Sequence, residues 1–216
     1  SSDLAQVTYN YNFDGDAIKT VTTMGYTNDA LTLTTTNKVS NTTADRAAVV
    51  LGALKSETTY TGNEGEEKAQ VTYNYNFDGD AIKTVTTMSY TNDALTLTTT
   101  NKVANVTADR LAVTLGAIKS ETTYTGNEGE EKAQVTYNYN FDGNAIKTVT
   151  TMPYHDADGP WLTTTDKVSG AAATRAEVVL GALKSETTYT GNEGEEKAQV
   201  TYNYNFEGKA IKTVTT

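Results

Sequence analysis

Apolar and polar residues alternate over Val71, Tyr73, Tyr75 and Phe77, with Thr72, Asn74 and Asn76 between them. A period of two is that of a strand with one half-buried face. Asp78-Gly79 follows at once, a dipeptide suited to the positive φ of a two-residue type I′ turn. That turn sets Phe77 opposite Asp80, Tyr75 opposite Ile82 and Tyr73 opposite Thr84. One face of the hairpin is then aromatic and aliphatic, and the other carries Asn74, Asn76 and Lys83.

The hairpin recurs. Val7, Val71, Val135 and Val200 are equivalent, at spacings of 64, 64 and 65 residues, and the eighteen residues from Tyr60 to Phe77 return unchanged from Tyr124 to Phe141 and from Tyr189 to Phe206. Identical copies can make identical contacts with their neighbours, as in a linear array. The units are 1–68, 69–132, 133–197 and a partial fourth at 198–216. Four strands are expected per unit, at about 70–77, 80–90, 94–100 and 117–125 in the second. Gly126 to Lys132 turns the fourth strand into the next unit through an acidic loop. For 105–116 two readings stand open. Thr107 as N-cap, Leu111 and Leu115 on one face and Gly116 as C-terminal stop make a two-turn helix, whereas Ala112 to Leu115 also reads as a strand.

Composition changes this picture little. Leu, Ile, Val and Phe number 38 of 216 residues and the net charge is −10, values that accompany disorder. Against that stand 14 Tyr and 43 Thr, β-favouring residues that fall in ordered alternation. The absence of Cys removes disulfides, thiolate metal sites and thiol nucleophiles. It is compatible with a secreted or cell-surface location. No apolar run approaches the roughly 18 residues of a membrane span, so membrane insertion is not expected. An acidic chain of pI near 4.6 disfavours nucleic acid as a partner.

Candidate chemistry is sparse. The third unit replaces Tyr90-Thr-Asn-Asp-Ala-Leu95 with a longer Tyr154 to Leu162 segment that holds the only His and only Trp. His155, Asp156, Asp158 and Trp161 are therefore the candidate ligand or partner loop, set against a plain widened surface loop. Lys167 stands where the twelfth-position acid of a calcium loop is required. A catalytic triad would have to centre on His155, and no Gly-x-Ser-x-Gly elbow is present. The Glu64, Glu66 and Glu67 cluster reads as a solvated hairpin tip. Asp78-Gly79-Asp80 reads as turn chemistry rather than metal, because the fourth copy has Lys209 at the last position. Asn41-Thr-Thr43 and Asn105-Val-Thr107 match the glycosylation sequon by chance in so Asn- and Thr-rich a chain. Neither an enzyme nor a cofactor is expected.

Tyr73-Asn-Tyr75-Asn-Phe-Asp-Gly79-Asp-Ala-Ile82-Lys-Thr-Val-Thr86 resembles the unit of the YD-repeat, or rearrangement-hotspot, extracellular proteins: a tyrosine pair, a glycine turn and a Thr-rich strand. Leu54-Lys-Ser-Glu-Thr-Thr-Tyr60 resembles the second strand of another such unit. Asn76 departs from the family pattern where an Asp is usual. The resemblance implies a strip of β-hairpins coiled into a spiral. The expected fold is thus mainly β, an elongated tandem array of antiparallel hairpins, YD-like or solenoid-like, with a helix at 105–116 left open. Its expected role is a structural module of a long secreted or cell-surface bacterial protein, forming a rod or fibre. The alternative is an adhesin module that presents loops to a glycan or a surface protein. Because the chain starts and stops with the same hairpin, end-to-end self-association or a longer array of the same repeats is also expected.

Overall fold

The computed structural model describes residues 4–154, 162–191 and 196–216. These residues form fourteen strands: β1 Val7–Tyr11, β2 Ile18–Thr27, β3 Ala30–Val39, β4 Leu51–Thr61, β5 Lys68–Tyr75, β6 Ile82–Thr91, β7 Ala94–Val103, β8 Leu115–Thr125, β9 Lys132–Tyr139, β10 Ile146–Thr151, β11 Leu162–Val168, β12 Leu180–Thr190, β13 Lys197–Tyr204 and β14 Ile211–Thr215. They join in chain order into one open sheet, a continuous meander. The described pairings are antiparallel. The chain divides into two compact units, residues 1–88 with 100–116, and residues 89–99 with 117–216. Among the described residues helix is confined to three single 3-10 turns, Arg46–Ala48, Arg110–Ala112 and Arg175–Glu177.

Four strands per repeat and the Tyr75–Ile82 pair agree with the alternation, but the turn between them does not. β5 stops at Tyr75, and Asn76 takes over the backbone. Its amide N–H donates to the Ala81 carbonyl at 2.8 Å and its carbonyl accepts from Gly79 at 3.2 Å. Its side-chain oxygen accepts from the Asp80 and Ala81 amides at 3.0 and 3.3 Å, and its side-chain amide donates to Asp80 at 2.6 Å. An Asn that can satisfy this many local groups competes successfully with strand continuation. The connection is therefore six residues long. Phe77, expected on the buried face, sits on the loop with 82% of its surface exposed.

The true type I′ turns lie elsewhere. Asn28 and Asn92 have φ of 51° and 50°, Asp29 and Asp93 φ of 65° and 67°, and Thr27 pairs directly with Ala30. Asn and Asp are the side-chain-bearing residues that accept this region most readily.

A bulge follows the Asn76 loop. Tyr75 faces Ile82, yet Asn74 faces Thr84, so Lys83 is the extra residue and Tyr73 meets Val85 instead of Thr84. That shift matters for the core, because it brings Ile82 and Val85, three positions apart, to the same face. With Ala81 they are at most 7% exposed. The first repeat buries Ala17, Ile18 and Val21 in the same way, and the third buries Ile146 and Val149.

What covers this core is the segment 104–114. No two-turn helix forms there. The Thr107 hydroxyl accepts from the Asp109 amide, and the Asp109 carboxylate accepts from Leu111 at 2.9 Å as cap of the 3-10 turn. Asn105 ties the segment shut, donating to the Ala112 carbonyl at 2.8 Å and accepting from Thr114 at 2.9 Å. Side chains that bind their own backbone so closely leave no run of helical residues. The Thr107 carbonyl then accepts from the Ile82 amide at 2.7 Å, pinning the cover onto the core; Thr43 with Ile18, and Ala172 with Ile146, repeat the bond.

Gly79 closes the arrangement. Its φ is +75°, and a Cβ there would stand 2.5 Å from the Leu54 nitrogen on β4. Gly15 has φ +73° and open space around it. Gly15→Ala should therefore cost about 1–2 kcal/mol, the conformational term alone, whereas Gly79→Ala should cost clearly more. Thermal melts of the two variants check this, and equal shifts would show that the loop does not press on β4.

Candidate functional site

The chain's chemistry-bearing side chains gather where one repeat meets the next. Glu57 on β4 and Tyr73 face each other across β4 and β5, and Tyr75 lies two residues along the same face. The Tyr75 hydroxyl donates to Glu57 at 2.5 Å and also lies 3.0 Å from the Ala108 carbonyl of the covering segment. Arg110 on the 3-10 turn comes within 3.2 Å of the same Glu57 carboxylate. Burial of the Tyr75 hydroxyl, its hydrogen bond to Glu57 and that carboxylate's charge push the phenol well up, against a smaller pull from Arg110. The next junction repeats the set with Tyr139, Glu121 and Arg175. This is a clasp. Its tyrosine is held neutral and its carboxylate is occupied, so it secures the cover rather than offering a base or nucleophile.

Other polar groups are similarly committed. Lys38 on β3 donates to the Phe77 carbonyl at 2.8 Å with its ammonium 3.5 Å from the ring centroid, and Lys167 treats Phe206 alike. Glu67, read from the sequence as part of a solvated tip, accepts from the Leu31 and Gly65 amides at 2.9 Å. Those backbone N–H groups, Leu31 first, hold its carboxyl below the usual range. The amide of Asn41 in the first sequon donates to Ala48 and accepts from Val50, and Asn105 is engaged likewise, so a glycan on either would break the loop it organises. Among the described residues no three His, Asp or Glu side chains gather as a metal site.

His155, Asp156, Asp158 and Trp161 lie outside the described residues. Tyr154, at the start of their segment, is described, and it borders a cleft of about 520 Å³. Asn127, Gly129, Glu130, Lys132 and Gln134 form much of the rest of its wall. The Lys132 ammonium lies 5.5 Å from the Tyr154 ring centroid. Alternation alone did not single out Glu57, Arg110 or Asn76. Recurrence does, since the only three arginines of the chain, Arg46, Arg110 and Arg175, occupy one repeat position.

No protein-family model matches the chain, and no curated protein matches it.

Two substitutions test the clasp and its neighbourhood. Tyr75→Phe should cost about 1–2 kcal/mol, the loss of a charge-assisted hydrogen bond. Tyr11→Phe, whose hydroxyl is 3.5 Å from both Ala44 and Arg46, should cost less in the same melts.

The second test is Asp166. Asn37 and Asn101 donate from this repeat position to the Gly52 and Gly116 carbonyls at 3.1 and 3.0 Å. A carboxylate cannot donate, and burial, then the Glu186 charge, raises the Asp166 pKa. A raised folded-state pKa means stability that is present at low pH and lost as pH rises through that pKa. Asp166→Asn should thus raise the melting temperature at neutral pH, with the gain shrinking on acidification. A gain independent of pH would refute the assignment.

Proposed function

We propose that the chain is a structural repeat module of a long secreted or cell-surface bacterial protein, an elongated hairpin array that supplies a rod or fibre. One observation carries the reading: the most highly organised polar groups face adjoining repeats and recur from copy to copy. Glu57 with Tyr75, Glu121 with Tyr139 and Glu186 with Tyr204 are the same bond three times. Gly79, Gly143 and Gly208 each lie against the backbone of the preceding repeat, at Leu54, Ile118 and Leu183. An array built on such nearest-neighbour terms gains stability with each added unit. The hairpin likeness to YD-repeat proteins supports an extracellular setting, with which a cysteine-free composition is compatible.

Self-association end to end, or addition of further repeats, belongs to the same proposal. β14 is an outer strand, and its Ile211 and Val214 are 51% and 53% exposed, whereas Ile82 and Val85 at the same repeat positions are nearly inaccessible. An apolar outer strand of this kind recruits another strand-bearing unit.

Small-angle scattering with sedimentation velocity tests both statements. The radius of gyration should exceed the value of about 17 Å for a globule of this length, and assembly at high concentration should weaken in Ile211→Lys/Val214→Lys. A globular radius sinks the rod. Strict monomers at millimolar concentration sink end-to-end association.

A further inference from the structure

The first and last hairpins of the sheet are one element written twice. Residues 6–23 and 199–216 differ only where Glu207 replaces Asp14 and Lys209 replaces Asp16. Thr8 pairs with Thr22, Tyr9 with Val21 and Tyr11 with Ile18 in one; Thr201 with Thr215, Tyr202 with Val214 and Tyr204 with Ile211 repeat the register in the other. Asn12 and Asn205 organise the two loops alike, each side-chain oxygen accepting from the amides four and five residues on. Either hairpin therefore fits where the other lies.

Their surroundings differ in a complementary way. β1 and β2 lie against β3 under the segment 40–50, with Ile18 and Val21 nearly inaccessible and the Ile18 amide donating to the Thr43 carbonyl at 2.7 Å. Arg46 of that segment meets the Tyr11 hydroxyl at 3.5 Å and the Tyr9 ring at 5.4 Å, but no carboxylate among the described residues. At β13 and β14 the other half is present. β13 pairs with β12, Lys167 lies over Phe206, and Glu186 accepts from Tyr204 at 2.5 Å. Among the described residues no arginine reaches that carboxylate and no carbonyl accepts from the Ile211 amide, while Ile211 and Val214 are half exposed. One end of the chain lacks the glutamate of a clasp, and the other lacks the arginine.

We propose that the C-terminal hairpin of one copy replaces the N-terminal hairpin of a second copy, setting β14 against the second copy's β3. There the Ile211 amide meets the second copy's Thr43 carbonyl, Ile211 and Val214 pass beneath its segment 40–50, and its Arg46 reaches Glu186. The three-membered set of Glu57, Tyr75 and Arg110 is thereby reproduced across two chains. The leaving and entering hairpins bury the same apolar side chains, so the exchange is nearly balanced in burial and the new ion pair tips it. The joint is head to tail and leaves a hairpin free to repeat it, which makes an open filament. This rests on the end-to-end association proposed above and names the element exchanged, since plain edge pairing of β14 with β1 leaves both half-clasps open.

The chain has no native cysteine, so full chains of different mass carrying either Thr36→Cys or Thr215→Cys test it when mixed under mild oxidation. The Thr22 and Thr36 hydroxyl oxygens lie 2.9 Å apart, and Thr215 is the counterpart of Thr22, so a disulfide between positions 36 and 215 should form and rise with concentration. Thr8→Cys mixed with Thr215→Cys reports direct edge pairing instead. A 36–215 yield no greater than the 8–215 yield overturns the replacement, and where 8–215 forms, end-to-end association still stands. Strict monomers overturn both. Equivalent substitutions should also act in opposite directions in sedimentation: Ile18→Ala loosens the resident hairpin and should raise the association constant about tenfold or more, while Ile211→Ala weakens the entering one and should lower it about as much. Two changes of the same sign, or none, overturn the replacement. The Ile82 and Val85 methyl resonances report that each variant is folded; if Ile18→Ala is not, the disulfide yields decide alone.

Discussion

Everything in this sheet depends on covering Ala81, Ile82 and Val85 and their copies. A sheet needs something packed on its apolar face, and here that cover is the segment 104–114. The bulge at Lys83 is the enabling step, because it places Ile82 and Val85 together under that cover. The cover in turn needs fastening at more than one point. The backbone bond from Ile82 to Thr107 holds it to its own repeat, and the Glu57, Tyr75 and Arg110 clasp ties it to the repeat before. Core burial and repeat coupling are therefore one device. Loosening the clasp exposes the core, and a core that fails to form leaves the clasp nothing to hold.

The opposite face solves a different problem. It must not be apolar, since it has no such cover, yet its strands must still hold register. Thr58, Thr72 and Thr86 stand directly opposite one another on β4, β5 and β6, and the Thr58 and Thr72 hydroxyls share a hydrogen bond of 2.9 Å. Thr22 with Thr36, Thr86 with Thr100, and Thr122 with Thr136 repeat it. Each such pair contributes a few tenths of a kcal/mol up to about 1. The methyl and hydroxyl together fill the pleat without inviting aggregation, which accounts for the Thr content of a chain so short of Leu, Ile, Val and Phe.

How much of this was legible in the sequence follows from the range of the interactions. Alternation revealed the strands and the Tyr75–Ile82 pair, because a period of two is a local property. The turn was misplaced because Asp78-Gly79 and Asn76 both carry turn signals and only the hydrogen-bonding capacity of Asn76 decides between them. Phe77 went to the wrong face for the same reason: once the strand stops at Tyr75, its parity no longer counts. The cover was ambiguous between helix and strand because its conformation is fixed by Asn105, Thr107 and Asp109 binding their own backbone. The clasp partners lie 18 and 53 positions from Glu57, at Tyr75 and Arg110, a separation that no local pattern reports.

The third repeat shows which parts of the design are free to vary. It keeps the backbone bond from Ile146 to Ala172 and the Glu121 clasp, but replaces the Asn41 and Asn105 position with Gly170 at φ +81°. Glu177 then takes over the fastening, accepting from the Ala173 and Thr174 amides at 2.8 and 3.2 Å. Asp166 replaces a donor amide nearby, and Pro153 lies just beyond β10, where the first two repeats carry Gly25 and Ser89 inside the strand. These changes spare the core and the junction, so neighbours still recognise the unit. A repeat that conserves its coupling while altering its loops can gain a new contact surface without loss of its place in the array.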